Sequence, residues 1–396
     1  MISPRPCLLL PALGALFASL GGAAPNAPVP VVGPATGFHV FFGTSRGGAN
    51  RGVSLGEFGA VTGALTVPAL DAATTSPSYQ ALSADGRHLY TCDSVDNLPG
   101  QRGGGVSAFA VDPATGRLTA LNTQLSGGNM PTYLSLDGSG RFVLVANYNS
   151  GSVAVLPILP DGSLGARTGF DQHTGHSVNP SRQSSPHAHS IITDPTNRFA
   201  LTCDLGLDQV LVYHFDDKTG AITPNDPAFV SLKAGSGPRH LAFAPSGKVL
   251  YVTSELANTV TAFNWDASLG ALTEFQTAST LPADFKGQSA CAEIGIHPSG
   301  RFLYASNRGD NSLAVFTVDQ ATARLTLVQN IPTGGKTPRG FSLDPTGGWI
   351  ICTNQDSDNA VVFKVDADTG RLTQVGAPVS VSNPVCPRFV PRLATP

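Results

Sequence analysis

The chain has 396 residues, a net charge of −3 and only 13% charged side chains, about half the roughly 25% usual in globular domains. No run of lysine or arginine supplies the electrostatic footprint of a nucleic-acid binder, so an anionic ligand must be held by individually placed arginines. Gly (44) and Pro (31) are both abundant, which suits short strands and tight turns better than helices.

In chain order, Arg5 precedes an apolar run from Leu8 to Leu20 and small residues from Gly21 to Ala24. That run is too short to span the roughly 30 Å hydrocarbon of a bilayer, but it fits a secretory h-region. The reading is a signal peptide over 1–24, cut near Ala23 or Ala24, with export to the periplasm or beyond and no membrane span. Cys7 lies before the apolar run and so is not placed as a lipoprotein cysteine would be. A Pro/Gly linker without periodicity follows over 25–37. The cysteines beyond the leader are Cys92, Cys203, Cys291, Cys352 and Cys386. Odd in number and widely spaced, they match neither a disulfide framework nor a zinc pattern and read as small buried hydrophobes.

From residue 38 the chain repeats. A first-strand start of the form Pro-x-x-apolar-x-apolar recurs at Pro77, Pro131, Pro186, Pro238, Ala292 (without its proline), Pro338 and Pro384. Each copy continues through a Gly-containing turn, such as DGSGR (137–141) or HPSGR (297–301), into a second strand such as FVLVA or FLYAS. A third, alternating strand runs into a second hairpin, as in DPATGRLT (112–119) and DADTGRLT (366–373). The last of these vaguely resembles a calcium loop, but its recurrence makes it a hairpin. Four short strands per repeat of roughly 50 residues predict an all-β propeller. The chain enters at FHVFFGTS (38–45), a second strand without a first, and leaves at NPVCPRFVP (383–391), a first strand without a second. Pairing the two in one blade closes seven blades into a ring over 38–396 and removes the open edges.

In such a ring the start of each first strand and the end of each second strand share one face of the disc. His189, Arg239 and Arg339 occupy the first position in blades four, five and seven; Glu255, Arg308 and Gln355 occupy the second in blades five, six and seven. Glu255 stands where other copies carry Ser94, Tyr148, Leu205 or Gln355. A carboxylate there is costly to bury unpaired, and Arg308 of the next blade is its obvious partner. The same pair also reads as a purely structural bridge between blades. His187 and His189 would share a face of a regular strand, but this copy carries two extra residues before its turn, which places His187 in the loop as a supporting residue. Two cationic neighbours disfavour a metal at the His-Ala-His segment. No GxSxG elbow and no phosphate loop before a helix occurs.

The segments PHAHS (186–190), GPRHLAF (237–243), YVTSE (251–255), AEIGIHPSGRFLYASNRG (292–309) and PVCPRF (384–389) together resemble the seven-bladed propeller lactonase family, which includes 6-phosphogluconolactonases and the carboxy-muconate lactonizing enzymes. The resemblance covers residues 38–391. It implies that His189, Arg239, Glu255 and Arg308 are the catalytic residues, matched position by position to a His, two Arg and a Glu proposed to act in the muconate branch. Arg239 and Arg308, with His187 and Arg339, would bind a small lactone or carboxylate, and no cofactor is called for. The residue types suit lactone opening, with His189 or Glu255 as base and acid and the arginines holding the oxyanion and an anionic substituent. The export leader sets the chain apart from a cytoplasmic sugar-phosphate enzyme. A lactonizing cycloisomerase using the same residues is a second reading. A third is a non-catalytic propeller that presents the loops 98–105 or 171–185 to a protein or carbohydrate partner.

Overall fold

The computed structural model describes residues 37–45 and 52–392, besides Met1. The leader expected over 1–24 and the linker 25–37, Gly37 apart, lie outside the described residues. From Phe38 onward, seven four-stranded antiparallel sheets follow one another as the blades of a propeller. Their first strands are Pro384–Pro391, Pro77–Leu82, Pro131–Leu136, Ala188–Thr193, Pro238–Phe243, Ala290–Ile296 and Pro338–Leu343, in blade order one to seven. Each first strand packs against the first strand of the next blade, and the last returns to the first.

The apolar pattern explains this stacking. Second strands such as Phe142–Asn147, Phe199–Asp204, Val249–Ser254 and Trp349–Asn354 are buried along their whole length, because neighbouring blades cover both faces. A strand buried on two sides reads as a continuous apolar run, not an alternating one. Fourth strands such as Leu118–Leu125 and Leu372–Ser380 form the rim and carry exposed polar residues. Aspartates hold the turns. Asp137 Oδ1 accepts the N–H groups of Arg141 and Phe142, and Asp194 Oδ1 does the same for Arg198 and Phe199. In the outer hairpin, Asp366 Oδ1 accepts from the backbone of Asp368 and Thr369, so the DADTG carboxylate is spent on its own turn.

Adjacent blades are also latched by aromatic donors. Tyr90, Tyr251 and Tyr304 each donate a hydroxyl to the outer hairpin of the following blade, at Gly162, Ala323 and Gly370, over 3.0, 2.7 and 3.0 Å. Trp349 Nε1 donates to Ala60 across the seam between blades seven and one. The five cysteines from Cys92 to Cys386 are free and buried. No helix among the described residues is long and apolar enough to cross a membrane.

Blade one is assembled from both ends of the chain. Phe38–Thr44 pairs antiparallel with Pro384–Pro391 on one side and with Val53–Phe58 on the other. Two starts differ from the repeat pattern read above. Ala188, not Pro186, sits opposite the end of its second strand as Pro238 does, and in blade six the matching register belongs to Cys291, opposite Asn307, not to Ala292. Neither blade has a proline there, so the proline pattern could not register them.

At the closing seam the first strands of blades seven and one approach closely. A Cβ added at Gly340 would lie 1.9 Å from the Val385 carbonyl oxygen, so any side chain forces the strands apart. Gly340→Ala is expected to lose about 1–3 kcal/mol or more of stability in urea unfolding. A loss under about 0.5 kcal/mol would mean that this seam is not tightly packed.

Candidate active site

The site is created by a local irregularity repeated around the ring. Near its start, each first strand shifts register against its neighbour: between Pro238 and His240 in blade five, Cys291 and Ile294 in blade six, Pro338 and Gly340 in blade seven. A bulge leaves an extra residue on one strand and re-aims the side chains around it. Consecutive residues can then converge instead of pointing to opposite faces, and Arg239 Nη1 lies 3.2 Å from His240 Nε2.

Glu255 is the hub. It follows the second strand Val249–Ser254, is 4% exposed, and both of its carboxylate oxygens are engaged. Oε2 accepts from Arg239 Nε at 3.1 Å and lies 2.8 Å from Arg308 Nη2, while His189 Nε2 stands at 3.9 Å. Oε1 accepts from Arg182 Nη2 at 2.6 Å. The structure therefore brings His189, Arg239, Glu255 and Arg308 together at one mouth of the channel, from three successive blades. Arg308 is fixed further by donating to the carbonyls of Ala290 and Cys291. Arg339 is half-buried, lines a slot with Arg239, His240 and Glu293, and makes no hydrogen bond among the described residues. His187 precedes its strand, stacks on Tyr148 with ring centroids 4.5 Å apart, and lies with Nδ1 3.0 Å from the Tyr148 carbonyl oxygen. Gln355 donates to Ser45, away from this cluster.

Two groups escaped the sequence reading. Arg182 has no counterpart in the other repeats and comes from the 171–185 insertion assigned above to a possible partner; the structure puts it on Glu255. His240 and Glu293 each follow directly on a residue at the channel position, where the alternation of a regular strand would turn them away from it. With the bulge, His240 Nδ1 lies 2.8 Å from Glu293 Oε1, and Tyr79 and Tyr133 pack edge-on against the His240 ring. Since an arginine can only donate, the Arg239 contact makes His240 Nε2 the acceptor and puts the ring proton on Nδ1, facing Glu293. His240 and Glu293 thus hold the Arg239 guanidinium in place. The one available signal was the adjacency of Arg239 and His240 directly after a strand-initial proline.

The electrostatics follow from burial and crowding of cations. Burial alone would raise the Glu255 carboxyl, but Arg308, Arg239, His189 and the Arg182 hydrogen bond outweigh it and hold the group well below the usual carboxylate range. Burial, reinforced by Arg239 and His240, pushes His189 well below its ordinary 6.5, and burial with Arg239 and Arg339 does the same to His240. Burial raises the Glu293 carboxyl. Arg339, desolvated and faced by Arg239 and Arg308, is lowered to about 9. Near neutral pH the mouth therefore presents His189 and His240 as neutral imidazoles, Glu255 as a fixed carboxylate and a surplus of guanidinium charge. Among the described residues no group of three or more His, Cys, Asp and Glu is arranged to hold a metal.

Cavity size does not locate this chemistry. A pocket of about 380 Å³ lies between the rims of blades one and two, lined by hydroxyls of Thr74, Ser107 and Thr123 around Asp93, with no imidazole or guanidinium. The channel slot below Arg239 measures only about 10 Å³, close to the room one water needs. A sugar-sized molecule must sit in the mouth above it.

Fold and cluster together define a closed seven-bladed propeller with a cation-rich polar site at one end of its channel. The family model described as "Lactonase, 7-bladed beta-propeller" matches residues 39–389. The chain is 38% identical over 350 residues to a 6-phosphogluconolactonase of Bacillus subtilis, covering 88% of this chain and 97% of that one. Among solved structures it is similar to the periplasmic gluconolactonase of Pseudomonas aeruginosa (TM-score 0.84, 34% identity, 90% of this chain and 100% of that chain). It is also similar to a putative 6-phosphogluconolactonase from Bacteroides fragilis (TM-score 0.83, 33% identity, 90% and 98%). The chain belongs to the seven-bladed β-propeller lactonase family and is a 6-phosphogluconolactonase-like lactone hydrolase.

The buried imidazoles make stability depend on pH in a definite sense. His189 and His240 bind protons less readily folded than unfolded, so the stability gained by keeping them neutral is complete above about 6.5 and is lost as pH falls toward their folded values. The depressed carboxylates act in the same sense only near pH 4 and below. The urea midpoint is expected to fall between pH 7.5 and 5.5, with a shallower slope in His240→Gln. Equal slopes in the two proteins would count against a neutral buried His240.

Proposed function

We propose that the chain is an exported lactonase that opens a small anionic or sugar-derived lactone at the His189–Glu255 mouth. One observation carries this reading: a buried carboxylate clamped by Arg182, Arg239 and Arg308 lies beside an imidazole whose Nδ1 has no partner among the described residues. A carboxylate so committed has no proton to give and little basicity near neutral pH. The base therefore falls to His189, which is neutral there.

His189 takes a proton from water as its oxygen attacks the lactone carbonyl carbon. Arg239 and Arg308 stabilise the tetrahedral oxyanion, held in position by Glu255 and, for Arg239, by His240. Collapse breaks the carbon to ring-oxygen bond, and the imidazolium returns the proton to the departing alkoxide. Throughout, the Glu255 charge at 3.9 Å favours the transient imidazolium. Arg339, with unspent donors in the slot below, adds positive charge beneath the bound substrate, and His187 lies at the wall. Support for export comes from the charged, apolar and small-residue succession over 1–24, and from the likeness to a protein named as a periplasmic gluconolactonase. A substrate available outside the cytoplasm follows from that reading.

The test is turnover of a panel of lactones and muconates by purified protein, with product analysis. Ring opening of at least one lactone is expected, and His189→Asn should lower kcat by about 10²–10⁴-fold with an unchanged circular dichroism spectrum. Consumption of muconates alone, or full activity in His189→Asn, would falsify the assignment.

A further inference from the structure

The connection between blades three and four, residues 173–187, is long beside its counterparts 126–130 and 333–337, and it is tied down over the mouth. His173 Nδ1 lies 2.6 Å from Asp204, Ser177 donates to Asp208 at 2.5 Å, and Gln183 Nε2 donates to the Leu205 carbonyl at 2.8 Å. Within it, Asn179 Oδ1 accepts the backbone N–H of Arg182. Arg182 is the one Lys, Arg, Asp or Glu in this segment. A strap anchored at three places thus delivers a single charge.

The guanidinium groups around Glu255 are not equally available to a ligand. Arg239 is 2% exposed, with Nε on Glu255 and Nη1 on His240. Arg308 is 14% exposed and divides its donors between Glu255 and two backbone carbonyls. Arg182 is 39% exposed and uses only Nη2, shared between Glu255 and the Tyr148 hydroxyl at 3.2 Å. Its Nε and Nη1 have no partner among the described residues. The slot beneath measures only about 10 Å³, so a lactone at this site sits on the solvent side, where Arg182 is exposed.

We infer that Arg182 is a specificity-determining residue that reads the negative charge of the substrate, binding a phosphate or carboxylate substituent and favouring anionic over neutral lactones. The assignment rests on the lactonase reading above and adds a residue to it. Free charged N–H donors suit an oxyanion substituent, whereas a neutral hydroxyl in that place gains no charge assistance.

The experiment compares wild type, Arg182→Gln and Arg182→Lys on three lactones: gluconolactone, its 6-phosphate and a carboxylate-bearing lactone. In Arg182→Gln the ratio of kcat/KM for a charged lactone to that for the neutral one is expected to fall about tenfold or more, chiefly through KM, with partial recovery in Arg182→Lys. Whichever charged lactone shows the fall identifies the group that is read. A parallel loss on all three, the mark of a mere latch on Glu255, overturns the inference, as does no change on any. Calorimetric binding of 6-phosphogluconate and gluconate to the same proteins reads Arg182 without turnover. If wild type opens no lactone yet Arg182→Gln still loses its preference for the phosphorylated acid, the lactonase reading fails and the role of Arg182 stands. If that preference is also unchanged, both fail.

Discussion

Pairing of Phe38–Thr44 with Pro384–Pro391 is the constraint on which the rest of the molecule depends. Seven first strands can face a common axis only if the seventh blade finds the first, and the chain achieves this by building one blade from its two ends. Left unpaired, each terminal segment would expose a row of backbone donors and acceptors. Once paired, the ring is closed, and the Tyr and Trp latches from four of the second strands to the next blade's hairpin keep neighbours in register. The channel mouth is then a fixed frame in which side chains from blades four, five and six can stay within contact of one another.

Within that frame the bulge near the start of each first strand does the positioning. It allows successive residues to serve the channel, so Arg239 can grip Glu255 while His240 holds Arg239 from behind. Concentrating charge in this way is expensive. Several guanidinium groups share one carboxylate, and the depressed affinity of Arg339 and Arg239 for their protons records their burial first and then the repulsion among them. A buried pair stabilises only when its geometry is good and its remaining donors are satisfied, and Arg308 meets that condition through backbone carbonyls. Arg339 does not, since its side chain has no hydrogen-bond partner among the described residues.

The sparse overall charge now has a structural counterpart. In a chain with 13% charged residues, four arginines and a glutamate gather at one rim, while the blades themselves are held by apolar packing and by aspartates satisfied in their own turns. A neutral His189 in this field has a charge-stabilising partner already in place, since Glu255 stays ionised near neutral pH. The strap from 173 to 187 is a part of the mouth not generated by the repeat. It varies the site without disturbing the ring, as loops on a rigid scaffold generally do.

The sequence by itself determined the repeat, the number of blades, the shared blade at the termini, and the placement of His189, Arg239, Glu255 and Arg308 on one face. All of these follow from periodicity and from strands running antiparallel, which are local properties of the chain. Tertiary structure alone decided what lies between those residues. The bulge is a one-residue offset that no spacing rule registers, because it depends on how each strand pairs, and it is what turns His240 and Glu293 toward the channel. Arg182 reaches Glu255 across 73 positions of sequence through a loop with no repeat counterpart, so nothing periodic could place it. Which carboxylate stays charged and which imidazole stays neutral also required the folded distances, since both depend on burial and on cations contributed by other blades.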